Sequence, residues 1–116
     1  MSKDSILKEK SMAFGQRAVR LYQFLVQEKQ EYVMSKQMLR SGTSIGANIA
    51  EAVYGSSRKD FVAKLQIARK EAAETLYWLE LLFRCDFIPD NLYTSLFEDC
   101  RELLLMLIAS IKTSAE

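Results

Sequence analysis

The sequence contains no histidine, one proline, four glycines and two cysteines. Without histidine it lacks the commonest general base, the usual zinc and iron ligand, and every Ser-His or Cys-His nucleophile arrangement. No glycine-rich phosphate loop is present either, because the segment GTSIGAN lacks the lysine and the spacing of a P-loop. We therefore expect a protein that is not an enzyme and that binds no cofactor.

Long apolar runs are also missing. The longest, Leu103 to Ala109, is far shorter than the ~20 residues that cross a bilayer. The opening MSKDSILKEK alternates in charge and has no apolar region typical of a signal peptide. Cys85 and Cys100 form no C-x-x-C pair, which indicates buried, reduced thiols. These features predict a soluble cytoplasmic protein with no membrane partner.

The scarcity of proline and glycine argues against turn-rich β folds and leaves room for long helices. Apolar residues recur at helical spacing in four segments, at about 4–28, 33–53, 58–85 and 89–113. The short links between them favour an all-α, antiparallel up-down four-helix bundle that forms one domain over residues 1–116. Gly42 and Gly46 lie inside the second helix, where they predict close approach of a neighbouring helix.

The last two helices carry more apolar side chains than one core-facing stripe requires. A helix that is hydrophobic on two sides is usually buried on two sides, which predicts a homo-oligomer. The alternative is scattered surface hydrophobes, which are common in any protein. The residues predicted at the oligomer interface are Ile67, Trp78, Leu81, Leu104, Leu105 and Ile108.

Polar residues line one edge of the second and third helices. They predict a structural network that fixes helix register, since buried carboxylates and amides need partners. Its members are Arg40, Ser41, Ser44, Asn48, Glu51, Glu71 and Glu74. The competing hypothesis is metal-dependent hydrolysis by the three glutamates. We favour the structural interpretation, because the Glu-x-x-His spacing of di-iron bundles cannot occur without histidine.

The net charge is only +1, but it is unevenly distributed. Residues 1–30 carry six basic and three acidic groups, whereas 87–116 carry two basic and five acidic groups. An oligomer that repeats a basic patch would form a track of positive potential, and the alternative is a solvated helix face. The candidate nucleic-acid-binding residues are Lys10, Arg17, Arg20, Arg58, Lys59, Lys64, Arg69 and Lys70.

Two segments carry a recognisable pattern: RSGTSIGANIAEA at 40–52 and SSRKDFVAKLQIARKEAAETLYWLELL at 56–82. The chain resembles the 23S rRNA-intervening-sequence proteins, a four-helix bundle family related to the accessory variability protein of diversity-generating retroelements. The first segment matches the pattern RS-x-x-SI-x-x-NIAE, and the second matches KEA-x-ET-x-YWL.

The resemblance implies a homopentameric barrel. It also implies an RNA or DNA partner, or a reverse transcriptase or other ribonucleoprotein, because the retroelement protein is basic and engages RNA and reverse transcriptase. Two hypotheses follow: a non-enzymatic oligomeric scaffold that binds nucleic acid or a ribonucleoprotein, and a purely structural or protein-interaction module.

Overall fold

The computed structural model describes residues 2–115, which form four α-helices and, within that range, no β-strand. The helices are α1 (Lys3–Lys29), α2 (Met34–Val53), α3 (Arg58–Arg84) and α4 (Asp90–Ala115). Each helix end lies within two residues of its predicted position. The prediction of an all-helical, four-helix fold is confirmed.

Two of the helices begin at serines that satisfy otherwise unpaired backbone N–H groups. The Ser2 hydroxyl accepts a hydrogen bond from the N–H of Ser5 at 3.2 Å, and the Ser57 hydroxyl accepts one from the N–H of Asp60 at 3.1 Å. The second of these caps follows the Ser57–Asp60 pattern of the sequence.

The start of α2 is capped by a residue that lies outside the helix. The Glu31 carboxylate accepts hydrogen bonds from the N–H groups of Val33, Met34 and Ser35, at 3.2, 3.1 and 2.6 Å. Burial pushes the pKa of Glu31 upward, but the hydrogen bonds outweigh it and the pKa falls below its usual value. The sequence predicted only a short link here, because Val33 itself offers no capping side chain.

Each helix contributes one apolar stripe to a single core. The fully buried side chains are Leu7, Phe14, Leu25, Met38, Ile45, Ile49, Leu65, Leu79, Leu82, Leu96, Leu103 and Leu107, with smaller residues between them. On α3 the side chains that pack on this core differ in depth. Thr75 and Leu82 lie fully inside, whereas Leu76 and Phe83 pack at its edge.

Both glycines of α2 face α1. A Cβ atom at Gly42 would lie 3.1 Å from the Cβ of Ala18, and one at Gly46 would lie 3.4 Å from the carbonyl oxygen of Ser11. Glycine therefore permits a close backbone approach between the two helices, as the sequence predicted.

Four helix pairs are in contact: α1 with α2, α2 with α3, α3 with α4, and α1 with α4. Within residues 2–115 the backbones of the diagonal pairs do not come close to each other, so each helix has two backbone neighbours and one outward face. The molecule measures 44 × 22 × 21 Å. None of the described helices combines the length and the apolar character that a bilayer crossing requires.

Candidate nucleic-acid interface

The residues of the predicted structural network lie on α2 and α3, and we call this set the polar seam. It contains a cluster centred on Arg40. Its guanidinium lies 3.1 Å from a carboxylate oxygen of Glu71 and also pairs with Glu74. The indole N–H of Trp78 donates to Glu74 at 2.9 Å. The hydrogen bond from Trp78 holds the pKa of Glu74 below its usual range, and Arg40 acts in the same direction.

A second polar contact in the seam is fully buried. The hydroxyl oxygens of Ser41 and Thr75 lie 2.8 Å apart across the α2–α3 contact, and both residues have no exposed surface. The Thr75 hydroxyl also lies 2.7 Å from the carbonyl oxygen of Glu71. The pair places a hydrogen bond between the two helices at a depth where unpaired hydroxyls are costly.

The remaining seam residues form separate groups. Asn48 donates within α2 to the carbonyl and hydroxyl oxygens of Ser44, at 2.9 and 3.0 Å. Glu51 pairs with Lys64 of α3 at 3.1 Å on the surface. The structure therefore divides the predicted network into local contacts instead of connecting all its members.

The three glutamates of the metal hypothesis are not brought together. Glu51 pairs with Lys64, whereas Glu71 and Glu74 share Arg40. Across residues 2–115, no group of three or more histidine, cysteine, aspartate or glutamate side chains could hold a metal ion. The geometry offers no support for metal-dependent hydrolysis by this set.

The eight basic candidates divide into two classes. Four make contacts within the chain: Lys10 with Glu102 at 2.9 Å, Arg17 with Asp99 at 2.7 Å, Lys64 with Glu51, and Arg58 with the carbonyl oxygen of Ser114 at 2.9 Å. The other four are exposed and have no ion-pair partner in the part of the chain that the structure describes. They are Arg20, Lys59, Arg69 and Lys70.

The predicted interface residues also divide. Ile67, Leu105 and Ile108 are exposed, at 42%, 49% and 43%. Trp78, Leu81 and Leu104 are partly buried, and both Trp78 and Leu104 pack against the core of their own chain. Only the first three leave large apolar surfaces uncovered in a single chain.

A further apolar surface lies between α1 and α2, and the sequence interpretation missed it. It is a groove of about 340 Å³ lined mostly by apolar and small side chains. Met12 and Val19 form one wall and are 61% and 41% exposed. The small residues Gly15 of α1 and Gly46 and Ala47 of α2 also line it. The sequence feature that could have revealed the groove is that Met12 and Val19 are apolar but do not belong to the set of α1 residues that face the core.

The two cysteines differ from each other. Cys100 is buried, and burial followed by the nearby Asp99 raises the pKa of its thiol to about 12, so it stays protonated. Cys85 is exposed, which corrects the prediction that both thiols are buried. Its place at the end of α3, after the last helical residue, leaves it outside the core.

Comparison with known proteins supports the resemblance seen in the sequence. The family of 23S rRNA-intervening sequence proteins matches residues 3–109. A crystal structure from Bacteroides thetaiotaomicron VPI-5482, described as a protein with unknown function from the S23 ribosomal protein family, is 56% identical. It superposes with a TM-score of 0.94, over 96% of this chain and 99% of that one. No curated protein sequence matches.

The motif-bearing segments at 40–52 and 56–82 lie on α2 and α3 and supply the contacts of the Arg40 cluster and the Ser41–Thr75 pair. With the match over residues 3–109, these segments identify the chain as a member of the 23S rRNA-intervening sequence protein family.

Proposed function

We propose that this protein is a non-enzymatic, cytoplasmic homo-oligomer, a pentamer, that binds nucleic acid or a ribonucleoprotein. One observation carries the proposal. Helix α3 exposes Lys59, Arg69 and Lys70 without a carboxylate partner in the described chain, whereas Lys10 and Arg17 of α1 are paired with carboxylates of α4. Phosphate groups are the natural counter-ions for such a surface.

Oligomer formation would increase the number of cations that one nucleic acid can contact. A net charge of +1 is small for a single nucleic-acid-binding chain. Repetition of α3 around a ring would bring several copies of the same cations to one nucleic acid, so that weak contacts add up. The uncovered side chains of Ile67, Leu105 and Ile108 and the α1–α2 groove supply apolar surface for contact between copies.

An antiparallel up-down arrangement of the helices is part of the proposal. Between α1 and α4, Lys10 meets Glu102 and Arg17 meets Asp99, so rising numbers on one helix meet falling numbers on the other. The α2–α3 pairs of Arg40 with Glu71 and of Glu51 with Lys64 run the same way. These pairs support opposite directions for neighbouring helices.

The second candidate function is a protein-interaction module without affinity for nucleic acid. The α1–α2 groove favours it, because Lys8 is the one charged residue among those that line the groove. Apolar grooves of this kind receive hydrophobic side chains of a partner helix.

A binding titration separates the two candidates. Fluorescence anisotropy with labelled RNA and DNA at two salt concentrations should show binding that weakens as salt rises. The triple variant Lys59→Gln, Arg69→Gln, Lys70→Gln should lose most of that binding. The control Lys29→Gln, Lys36→Gln, Lys112→Gln changes the net charge equally, at exposed positions on the other three helices, and should bind nearly as well as the wild type.

Absence of salt-sensitive binding at micromolar protein would leave the interaction module as the better account. Light scattering on the same samples tests the oligomer. A charge introduced by Leu105→Glu should yield smaller species with helicity retained, and an unchanged mass would count against Leu105 as a contact.

A further inference from the structure

Four residues form a straight row along the outward face of α3: Lys59, Lys70, Tyr77 and Arg84. Successive members are 11, 7 and 7 residues apart, and each spacing returns to the same side of an α-helix within about 20°. All four are exposed, and Tyr77 is 58% exposed. At ~1.5 Å per residue the row is about 37 Å long, enough to follow several nucleotides of an extended strand.

The tyrosine in this row is held in place by the polar seam. Its ring meets that of Trp78 edge to face, with centroids 5.0 Å apart and an interplanar angle of 75°. Trp78 is in turn hydrogen-bonded to Glu74, which pairs with Arg40. Tyr77 is therefore a large aromatic surface next to water, supported from one side by a residue that is itself anchored.

Two carboxylates flank the row, and both already have partners. Glu74 is engaged by Arg40 and Trp78. Glu80 pairs with Arg84 at 2.9 Å, and the two side chains are 45% and 73% exposed. An exposed ion pair between residues one helical turn apart contributes little stability, so Arg84 can leave Glu80 and bind a phosphate instead. Lys59 and Lys70 have no acidic partner within residues 2–115.

Tyr54 and Tyr32 are also largely exposed, but they lie in different surroundings. Tyr54 already has a lysine over its ring, with the Nζ of Lys8 5.2 Å from the centroid. Tyr32, 55% exposed, lies in the link between α1 and α2 beside Val33. Of the three, only Tyr77 lies in a row of cations on one helix face.

We propose that this row binds single-stranded nucleic acid, with phosphates on Lys59, Lys70 and Arg84 and a base stacked on Tyr77. The inference rests on the proposed function and specifies its ligand. Cations that track a backbone, interleaved with an aromatic ring, are the features that bind single strands without sequence preference. In a duplex the bases already stack on one another, so the ring would add nothing.

Anisotropy titrations with short labelled oligo(U), oligo(dU) and a duplex of equal length test the proposal. Tyr77→Ala should weaken binding of the single strands about tenfold and leave duplex binding unchanged. Tyr77→Phe, which keeps the ring, should retain the wild-type affinity. The matched control Tyr32→Ala removes an equally exposed ring elsewhere and should have no effect. The two strands show whether the sugar matters.

Trp78 provides a second readout that does not depend on affinity. It is the single tryptophan of the chain and touches Tyr77, so its fluorescence should change when a strand saturates the wild type. The change should be lost at saturation of Tyr77→Ala. Circular dichroism checks that the variants stay helical, as expected for a surface position.

Unchanged single-strand affinity in Tyr77→Ala, together with weaker binding by Lys59→Gln, Lys70→Gln, would overturn the inference and leave nucleic-acid binding intact. An equal loss in Tyr32→Ala would also overturn it. Failure of every probe to bind in a salt-sensitive way would instead remove the proposed function itself.

Discussion

The two helix contacts made by α2 are built in opposite ways. Toward α1 the helix presents glycine, and Gly42 brings the backbone close to Ala18. Toward α3 it presents polar side chains, with Ser41 on Thr75 and Arg40 on Glu71 and Glu74. The first contact depends on the absence of side-chain volume, and the second depends on the pairing of polar groups.

The comparison shows that α2 sets its distance to α1 through glycine and its axial register with α3 through polar pairs. The glycine contact is destabilised by added side-chain volume and does not depend on a hydrogen bond. The buried hydroxyl pair is destabilised when one of its two hydrogen-bonding groups is removed. Substitutions on the two sides should therefore fail for different reasons.

The largest effect is expected on the α1 side. Gly42→Leu places a bulky side chain where a Cβ alone would lie 3.1 Å from Ala18, and should lower the free energy of unfolding by about 3 kcal/mol. Urea unfolding at fixed protein concentration measures it. Ala63→Leu is the control, because Ala63 is exposed on α3 and lies outside the α1–α2 groove. Equal losses in both variants would refute the close contact.

The next effect is expected at the buried hydroxyl pair. Thr75→Val keeps the shape but removes the hydrogen bond between the helices, so that Ser41 keeps only the Met38 carbonyl oxygen at 3.3 Å, and should cost about 1.5 kcal/mol. Adding Ser41→Ala should cost less than the sum of the single changes, because the interaction is already lost. Additive losses in urea unfolding would show that the two hydroxyls do not depend on each other.

A smaller effect is expected at the Arg40 cluster, which is partly exposed. Arg40→Gln should cost about 1 kcal/mol at pH 7, because Glu71 and Glu74 lose their shared cation. The pKa of Glu74 is lowered in the folded protein, so its contribution is present above the ordinary carboxyl pKa and is lost as pH falls through the lowered value.

The difference between the wild type and Arg40→Gln should therefore shrink as pH falls through the carboxyl range. Unfolding curves at neutral and acidic pH measure it. A difference that stays constant with pH would mean that Arg40 acts by packing alone.

The smallest effect should be a gain. Gly15→Ala adds helix propensity at an open position, and should raise the free energy of unfolding by about 0.5 kcal/mol. Thermal unfolding at matched concentration detects it. A loss would indicate that a second chain occupies the groove beside Gly15.

The sequence predicted the helices well because apolar spacing and capping residues act locally. Leu65, Ala68, Ala72 and Leu79 recur at helical spacing, and all four are buried. The α2 cap was missed, since Glu31 lies outside the helix and capping by glutamate has no strong sequence signature. Spacing alone does not identify Thr75 as buried, because its burial depends on Ser41, 34 residues away.

The candidate site was predicted less completely than the fold. All eight cations were named from the sequence. Which of them form ion pairs depends on the carboxylates of neighbouring helices, and helix packing decides which carboxylates lie close enough. Lys10 and Arg17 find carboxylates on α4, and Lys64 finds one on α2. The row of Lys59, Lys70, Tyr77 and Arg84 was visible in its spacing, yet its exposure was not.

The sequence by itself determined four amphipathic helices, their ends, and the family to which the chain belongs, because these depend on spacing along one chain. Only the tertiary structure decided which side chains pair, which thiol is buried, and which cations remain for a ligand. The physical reason is that ion pairs, hydrogen bonds and burial join residues far apart in sequence, and helix packing alone brings them within contact distance.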